Sequence, residues 1–473
     1  MPVAAIDFGT YSSGIVWGPN DDGIINDFHY NNKALNGGYA KTRTAFLVSK
    51  SLLEKIDSLS DDEIRLSDHE DENGNTNVWI GDISREKYLD TKRSKDEDAN
   101  WVYFDRFKMC LYNRDSVVIG SDKKEYNLEK IITLFLRCLK ISFLKKIAEF
   151  HHDFVKWGFV ISNDLYENEK CILKSAAFNA LKGNVLFISD TEALAVASFF
   201  YGILQSTFEN AQKKCMYFYS DEGEQKICIY NEEINIREKR IRLNNLLFHE
   251  CKIDYDILIA NKFWELLAEK LAEKEECFGH PFSIFIKSFK IENVAGWHQM
   301  EQQWLTIKHN PSSSDKIYFE FPRTYSNWLK ENHQVAFNAF EDEFGCTIVF
   351  SRKEIEEKVF KPVVDEIIAA AQEAAAQSAS KLDYIFFAGG LCALPYLPNA
   401  LRDSFEKSHP SANMLFEHYS DYATALPGGS IMIGTALILV FKSFYSLYQS
   451  VYDNARSHAT VPCCLFPQSV NSK

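Results

Sequence analysis

The chain has 473 residues, 52 basic against 66 acidic side chains and a formal charge of −14, with 46% hydrophobic and 25% charged residues. Such a composition excludes disordered and collagen-like chains, and it argues against a general binder of nucleic acid or anionic membrane, which needs a basic surface. At about 150 residues per domain the length allows two to four domains, with a core large enough to need no disulfide or structural metal.

The chain opens on a short apolar run, Val3 to Ile6, which stops at Asp7-Phe8-Gly9-Thr10 before a second run, Gly14 to Trp17. Two strands joined by a tight turn are the reading. Leu53 to Asn77 holds acidic clusters (Asp61-Asp62-Glu63, then Asp68 to Asn75) and reads as a solvated insertion. Leu128 to Phe150 has helical periodicity. Strand, helix, strand and a small-residue helix follow at Val155–Ile161, Glu167–Leu181, Val185–Ile188 and Thr191–Leu204. Cys215–Tyr219 and Ile227–Tyr230 then repeat the opening pattern around Asp221-Glu222-Gly223, which points to an internal duplication of an α/β unit. Helical, aromatic-rich sequence occupies Ile257 to Lys274 and the 320s to 340s. A long alanine-rich helix, Lys353 to Ser380, leads to the strand Tyr384–Phe387 and the turn Ala388-Gly389-Gly390. Pro427 to Ser430 opens a last apolar helix to about Tyr452, and the polar remainder reads as a flexible tail.

Eleven cysteines are an odd number without C-x-x-C spacing, which predicts free thiols in a reducing, cytoplasmic compartment. The N-terminus shows no signal segment, and the most apolar stretch, Ile431 to Phe441, is far short of the roughly 20 residues of a membrane span.

Chemistry concentrates in three glycine turns that each follow an apolar strand, at Asp7–Thr10, Asp221–Gly223 and Ala388–Gly390. Glycine lets backbone amides come close to a phosphate, and a carboxylate in the same turn suits Mg²⁺, a hard ion that prefers oxygen ligands. From the residues alone Lys108 reads equally as a solvated surface lysine, and Asp190 as the N-cap of the helix behind it.

With these motifs in this order the chain resembles the actin, sugar-kinase and seventy-kilodalton heat-shock chaperone superfamily, and the nucleotide-binding domain of the chaperone branch fits best. Ala5 to Ser13 looks like the first phosphate motif of that family. Phe104-Asp105-Arg106-Phe107-Lys108-Met109 is similar to the segment where divergent relatives carry a lysine. Ser189 to Ala197 is similar to the first linking helix, Lys381 to Leu391 with Pro395-Tyr396-Leu397 to the adenosine motif, and Gly428 to Ala436 to the second linking helix. The resemblance implies an α/β protein with a two-lobed, actin-like ATPase fold of duplicated ribonuclease-H-like halves. Lobe I would be residues 1–208 completed by 429–452, lobe II 209–428 with a helical subdomain at about 240–350, and 453–473 the tail.

It further implies ATP or ADP with Mg²⁺ as ligands, and protein partners or chaperone clients. Gly9, Thr10 and Tyr11 would offer amides to the phosphates, Asp7 would hold the Mg²⁺ shell, and Lys108 would meet the γ-phosphate. Asp190 would stand in for a glutamate of the family, Asp221 would orient water beside Gly223, and Gly389, Gly390 and Leu391 would lie beneath the α-phosphate and ribose. The second phosphate motif departs from the family pattern: Asp221-Glu222-Gly223-Glu224-Gln225-Lys226 lacks two glycines and the threonine, and Glu224 adds negative charge. Ala393 stands where the family places an arginine on adenine. The chain ends soon after the last family helix, so a client-binding β-sandwich is not expected. Two functions stay open: an ATP-binding switch with slow or absent hydrolysis, and a pseudoenzyme scaffold that has lost its nucleotide.

Overall fold

The computed structural model describes residues 3–18, 26–28, 41–67, 76–94, 100–147, 155–162, 165–182, 185–190, 192–197, 212–221, 224–235, 240–251, 255–273, 282–309, 315–377, 381–394, 396–417 and 425–426. Gly223, the second linking helix and the tail, all singled out from the sequence, lie outside the described residues.

The fold is mixed α/β and is organised by two six-stranded sheets. Val3–Phe8 is buried along its whole length and, apart from Asp7, apolar on both faces, as a strand covered on both sides must be. It pairs antiparallel with Ser12–Gly18 on one edge and parallel with Lys156–Ile161 on the other, and Val185–Ser189 continues the parallel side. Asn26–Phe28 and Lys41–Arg43 both pair with Ser12–Gly18. In the second sheet Gln212–Asp221 takes the central place. It is antiparallel to Glu224–Asn235, which pairs in turn with Arg240–Cys251, and parallel to Tyr384–Ala388, beyond which lie Asn413–Glu417 and Ala425–Leu426. Five strands of each sheet follow the same order and directions, while the sixth is placed differently: Lys41–Arg43 shares Ser12–Gly18 with Asn26–Phe28, and Ala425–Leu426 extends the parallel side of the second sheet.

Adjacent parallel strands need a crossover, and helices supply it in both halves. Glu167–Leu181 connects Lys156–Ile161 to Val185–Ser189, and Tyr396–Ser408 connects Tyr384–Ala388 to Asn413–Glu417. Leu128–Ile147 packs against the first of these and Lys361–Gln377 against the second. Each half buries its own core. In the first, Phe8, Phe46, Phe107 and Phe135 have ring centroids 5.3–6.0 Å apart. In the second, Phe263 stacks on Trp304 at 4.1 Å within a larger aromatic cluster.

Four features depart from the sequence reading. Arg240–Cys251, placed at the start of a helical subdomain, is a strand of the second sheet, and the helices begin at Tyr255–Ala272. The alternation Ile241, Leu243 between Arg and Asn was the local signal for it. Three smaller sheets among the described residues were not foreseen: Ala45–Ser49 with Leu66–Ser67, Val78–Ile80 and Trp101–Asp105, the pair Val117–Ile119 with Glu125–Asn127, and the pair Lys316–Glu320 with Thr347–Ser351. The long helix is interrupted by a π segment, Glu356–Phe360, where the Lys361 amide reaches back to the Glu356 carbonyl. Pro362 follows directly and has no N–H for the Lys358 carbonyl, so a local change of winding is the accommodation. Finally, part of the acidic insertion is structural. Asp61 accepts from Arg137 Nε at 2.5 Å and Lys140 Nζ at 2.8 Å, both nearly buried on Leu128–Ile147. No helix among the described residues is long and apolar enough to cross a membrane, and Cys110, Cys138, Cys171, Cys215, Cys228, Cys346 and Cys392 are free thiols.

Partial burial would raise the Asp61 carboxyl, but the hydrogen bonds from Lys140 and Arg137 outweigh it and hold it below its ordinary value. Its contribution is complete above the unfolded carboxylate value of about 3.9 and is lost as pH falls below that point. Asp61→Asn should cost about 2 kcal/mol in chemical denaturation at pH 7, with the difference from wild type shrinking at pH 3. An unchanged denaturation midpoint at pH 7 would show that the two cations need no shared partner.

Candidate anion-binding site at the carboxyl edge of the first sheet

The carboxyl ends of three neighbouring parallel strands meet at one edge of the first sheet, where open α/β sheets bind ligands. Those ends carry Asp7, Phe8 and Gly9, then Ile161 and Ser162, then Ser189 and Asp190. The last ladder pair of the opening hairpin is Phe8 with Ser13, so Gly9, Thr10, Tyr11 and Ser12 make the turn. A Cβ at Gly9 would stand 2.2 Å from the Ser12 carbonyl oxygen, so the turn closes only around glycine.

Thr44 staples this turn from below. Its hydroxyl donates to the Gly9 carbonyl at 2.8 Å and its amide to the Tyr11 carbonyl at 2.6 Å. Because that hydroxyl proton is committed, the Ser13 hydroxyl is the donor in its 2.7 Å contact with Thr44. With the carbonyls held inward, Thr10 is left with its amide and hydroxyl unbonded among the described residues, although the residue is only 6% exposed.

Lys108 reaches the same edge from the segment behind Trp101–Asp105. Arg106 takes φ 52°, a left-handed conformation that costs a non-glycine residue on the order of 1 kcal/mol and turns the chain back over the sheet. Phe107 anchors that turn between Phe8, Phe46 and Phe135. The Lys108 ammonium then lies 5.8 Å from the ring centroids of both Phe8 and Tyr112. The residue is 6% exposed, so it is no solvated surface lysine, and no carboxylate among the described residues pairs with it. A buried charge without a counter-ion costs several kcal/mol, and ring faces recover only part of that. That makes Lys108 the candidate cation of this edge.

Beside Asp190 the helix cap is supplied by Ser189, which accepts from the Glu192 amide at 3.2 Å, while the Glu192 carboxyl returns to Ser189. Burial pushes the Glu192 carboxyl up, the Ser189 hydrogen bonds oppose the rise, and the nearby Asp190 carboxylate adds to it. Asp190 is buried and accepts from the Ser162 hydroxyl at 3.0 Å. The Ser-x-x-Glu spacing of this capping box was legible in the sequence; the Ser162 contact, across two strands, was not.

The second sheet offers a different edge. Its hairpin ladder runs on to Asp221 with Glu224, leaving only residues 222 and 223 between. In the first hairpin Asp7 faces Gly14, with six residues in between. The second turn is thus four residues shorter measured from its aspartate. Gly389 follows Ala388 on the strand beside Tyr219, and its φ of 102° with ψ 167° requires glycine. Gly390 opens a short 3₁₀ turn, and Leu391 turns its side chain into the core of the second half.

Asp7, Gly9, Thr10, Tyr11, Lys108 and Asp190 therefore share the first edge, and Asp221 and Gly389 end strands at the corresponding edge of the second sheet. Arg43, Thr44 and Ser162 were missed; each acts through a contact that only the folded sheet creates. Among the described residues no three His, Cys, Asp or Glu side chains gather as a metal cage. Mg²⁺ bound with phosphates needs only one or two carboxylates, which Asp7 and Asp190 can supply. No family model matches the chain, and no curated protein matches its sequence.

Gly9→Ala should lower stability by about 2 kcal/mol in chemical denaturation, because the backbone oxygen it meets cannot swing aside as a side chain can. An alanine variant as stable as wild type would mean that the turn is looser than its contacts indicate.

Proposed function

We propose that this chain is an ATP-binding protein with the two-lobed, actin-like architecture of duplicated ribonuclease-H-like halves, and that it acts as a nucleotide-responsive switch of heat-shock type with slow or absent hydrolysis. The observation that carries this reading is a Thr10 unbonded, and a buried Lys108 without a counter-ion, among the described residues, both at the carboxyl edge of a parallel sheet. Amides and one cation are what a phosphate requires, whatever the net charge of the chain. Thr10 and its neighbours in the turn would take the phosphates, Lys108 would add the point charge, and Asp7 would hold Mg²⁺ through water. Mg²⁺ would neutralise phosphate charge and fix its orientation. The adenosine would run towards Gly389 and Gly390 on the other half.

Slow or absent hydrolysis is supported by the short second turn, where Asp221 is still locked in a ladder pair with Glu224. A phosphoryl-transfer site works by positioning water and stabilising charge from both sides, and a carboxylate at that turn opposes both. The same observation favours the second reading, a scaffold that keeps the architecture without its nucleotide.

Calorimetric titration with Mg-ATP separates the two, with heat and saturation expected for wild type. Lys108→Met should weaken binding about tenfold or more while keeping the fold, since a hydrogen bond to a charged group contributes about 1.5–3 kcal/mol. Absence of any heat or thermal shift at millimolar ATP would leave the scaffold reading. Asp7→Ala should remove most of the ATP-dependent rise in melting temperature, and an undiminished rise would take Asp7 out of the site.

A further inference from the structure

We infer that the pair formed by the buried Arg43 and the half-buried Asp105 is a positioning device for the anion site, fixing the Gly9–Ser12 turn and Lys108 relative to each other and so setting how tightly phosphate is held. This rests on the proposed nucleotide site. Arg43 is 5% exposed and holds Asp105 with two hydrogen bonds, Nη2 to Oδ2 at 2.8 Å and Nε to Oδ1 at 3.3 Å. Its remaining nitrogen, Nη1, donates to the Tyr11 hydroxyl at 3.1 Å, and the guanidinium carbon lies 4.6 Å from the Tyr11 ring centroid. The planar fork is thereby used in two directions, towards the turn and towards Asp105.

Each end of this bridge sits next to a binding group in the chain. Arg43 directly precedes Thr44, which holds the carbonyls of Gly9 and Tyr11. Asp105 ends its strand three residues before Lys108, and the intervening Arg106 donates its amide to the Thr44 carbonyl at 3.3 Å. The turn and the ammonium come from segments far apart in sequence, and this pair is a side-chain tie between those segments. A buried ion pair adds little net stability over an apolar pair of similar volume, because desolvation offsets attraction. What it contributes here is direction, and a lysine at 43 could not give it, since an ammonium has no fork.

The test compares Mg-ATP affinity and ligand-free melting temperature in wild type and in the double variant Arg43→Met/Asp105→Leu, which leaves no unpaired charge buried. The expected result is a melting temperature near that of wild type with ATP binding weakened about tenfold or more. Lys108→Met should then cost far less affinity in the double variant than in wild type, a coupling that a purely stabilising pair would not produce. If the double variant fails to fold, Arg43→Lys is judged by the same two measurements. Wild-type affinity in the variant, or an equal cost of Lys108→Met in both backgrounds, overturns the inference and leaves the nucleotide reading standing. A wild-type protein that binds no ATP overturns both.

Discussion

A strand buried on both faces and paired on both edges has only its ends left for chemistry, and Val3–Phe8 is such a strand. Its antiparallel partner returns through a tight turn, while its parallel partners all point their carboxyl ends the same way. Polar residues that interrupt the apolar runs at those ends, Asp7, Ser162 and Asp190, are thus brought to one edge without being near one another in sequence. The core beneath fixes the edge in place. Phe8 and Phe107 touch within the same ring cluster, so the strand that ends in the turn and the segment that carries Lys108 share one packing unit.

The charge balance of the whole chain says little about this edge. A formal charge of −14 is spread over surface carboxylates, whereas the ammonium of Lys108 is close to the sheet and shielded from water. Field strength depends on distance and local dielectric, so one buried cation can outweigh many solvated anions at the place where it acts. The same reasoning assigns weight to Asp7, Asp190 and Glu192, which are near enough to oppose a bound anion unless a divalent cation intervenes. The Glu192 carboxyl is raised chiefly by its burial, with the Asp190 carboxylate adding a smaller part.

What the sequence made legible followed from period and punctuation. Val3 to Trp17 announced a hairpin through two apolar runs and a glycine, and Glu167–Leu181 matched its expected helix at both ends. The recurrence at Cys215 to Tyr230 announced the second sheet, whose strands extend further than the apolar runs because ladder pairing carries polar residues with it. Elements of the insertions were hidden for a different reason. Val78–Ile80 is a three-residue strand held between Ala45–Ser49 and Leu66–Ser67, and nothing local distinguishes it from a loop. In the site, residues in the glycine turn were visible, while Arg43 and Thr44 were not. Their roles are fixed by partners 31 to 62 positions away, and a single sequence carries no trace of such pairings.

The two halves share the order and directions of five strands and differ at the one place where the difference has chemical meaning. Binding an anion requires outward amides and a cation, and in the first half Thr10 and Lys108 are the candidates. Cleaving a phosphoanhydride requires a second set of groups to position water and to take up charge as it develops on the leaving side. The second hairpin closes four residues earlier, and it closes on glutamate where an open glycine loop would be needed. The proposed switch with slow or absent hydrolysis rests on that difference: one hairpin leaves four residues between its last paired positions and the other only two.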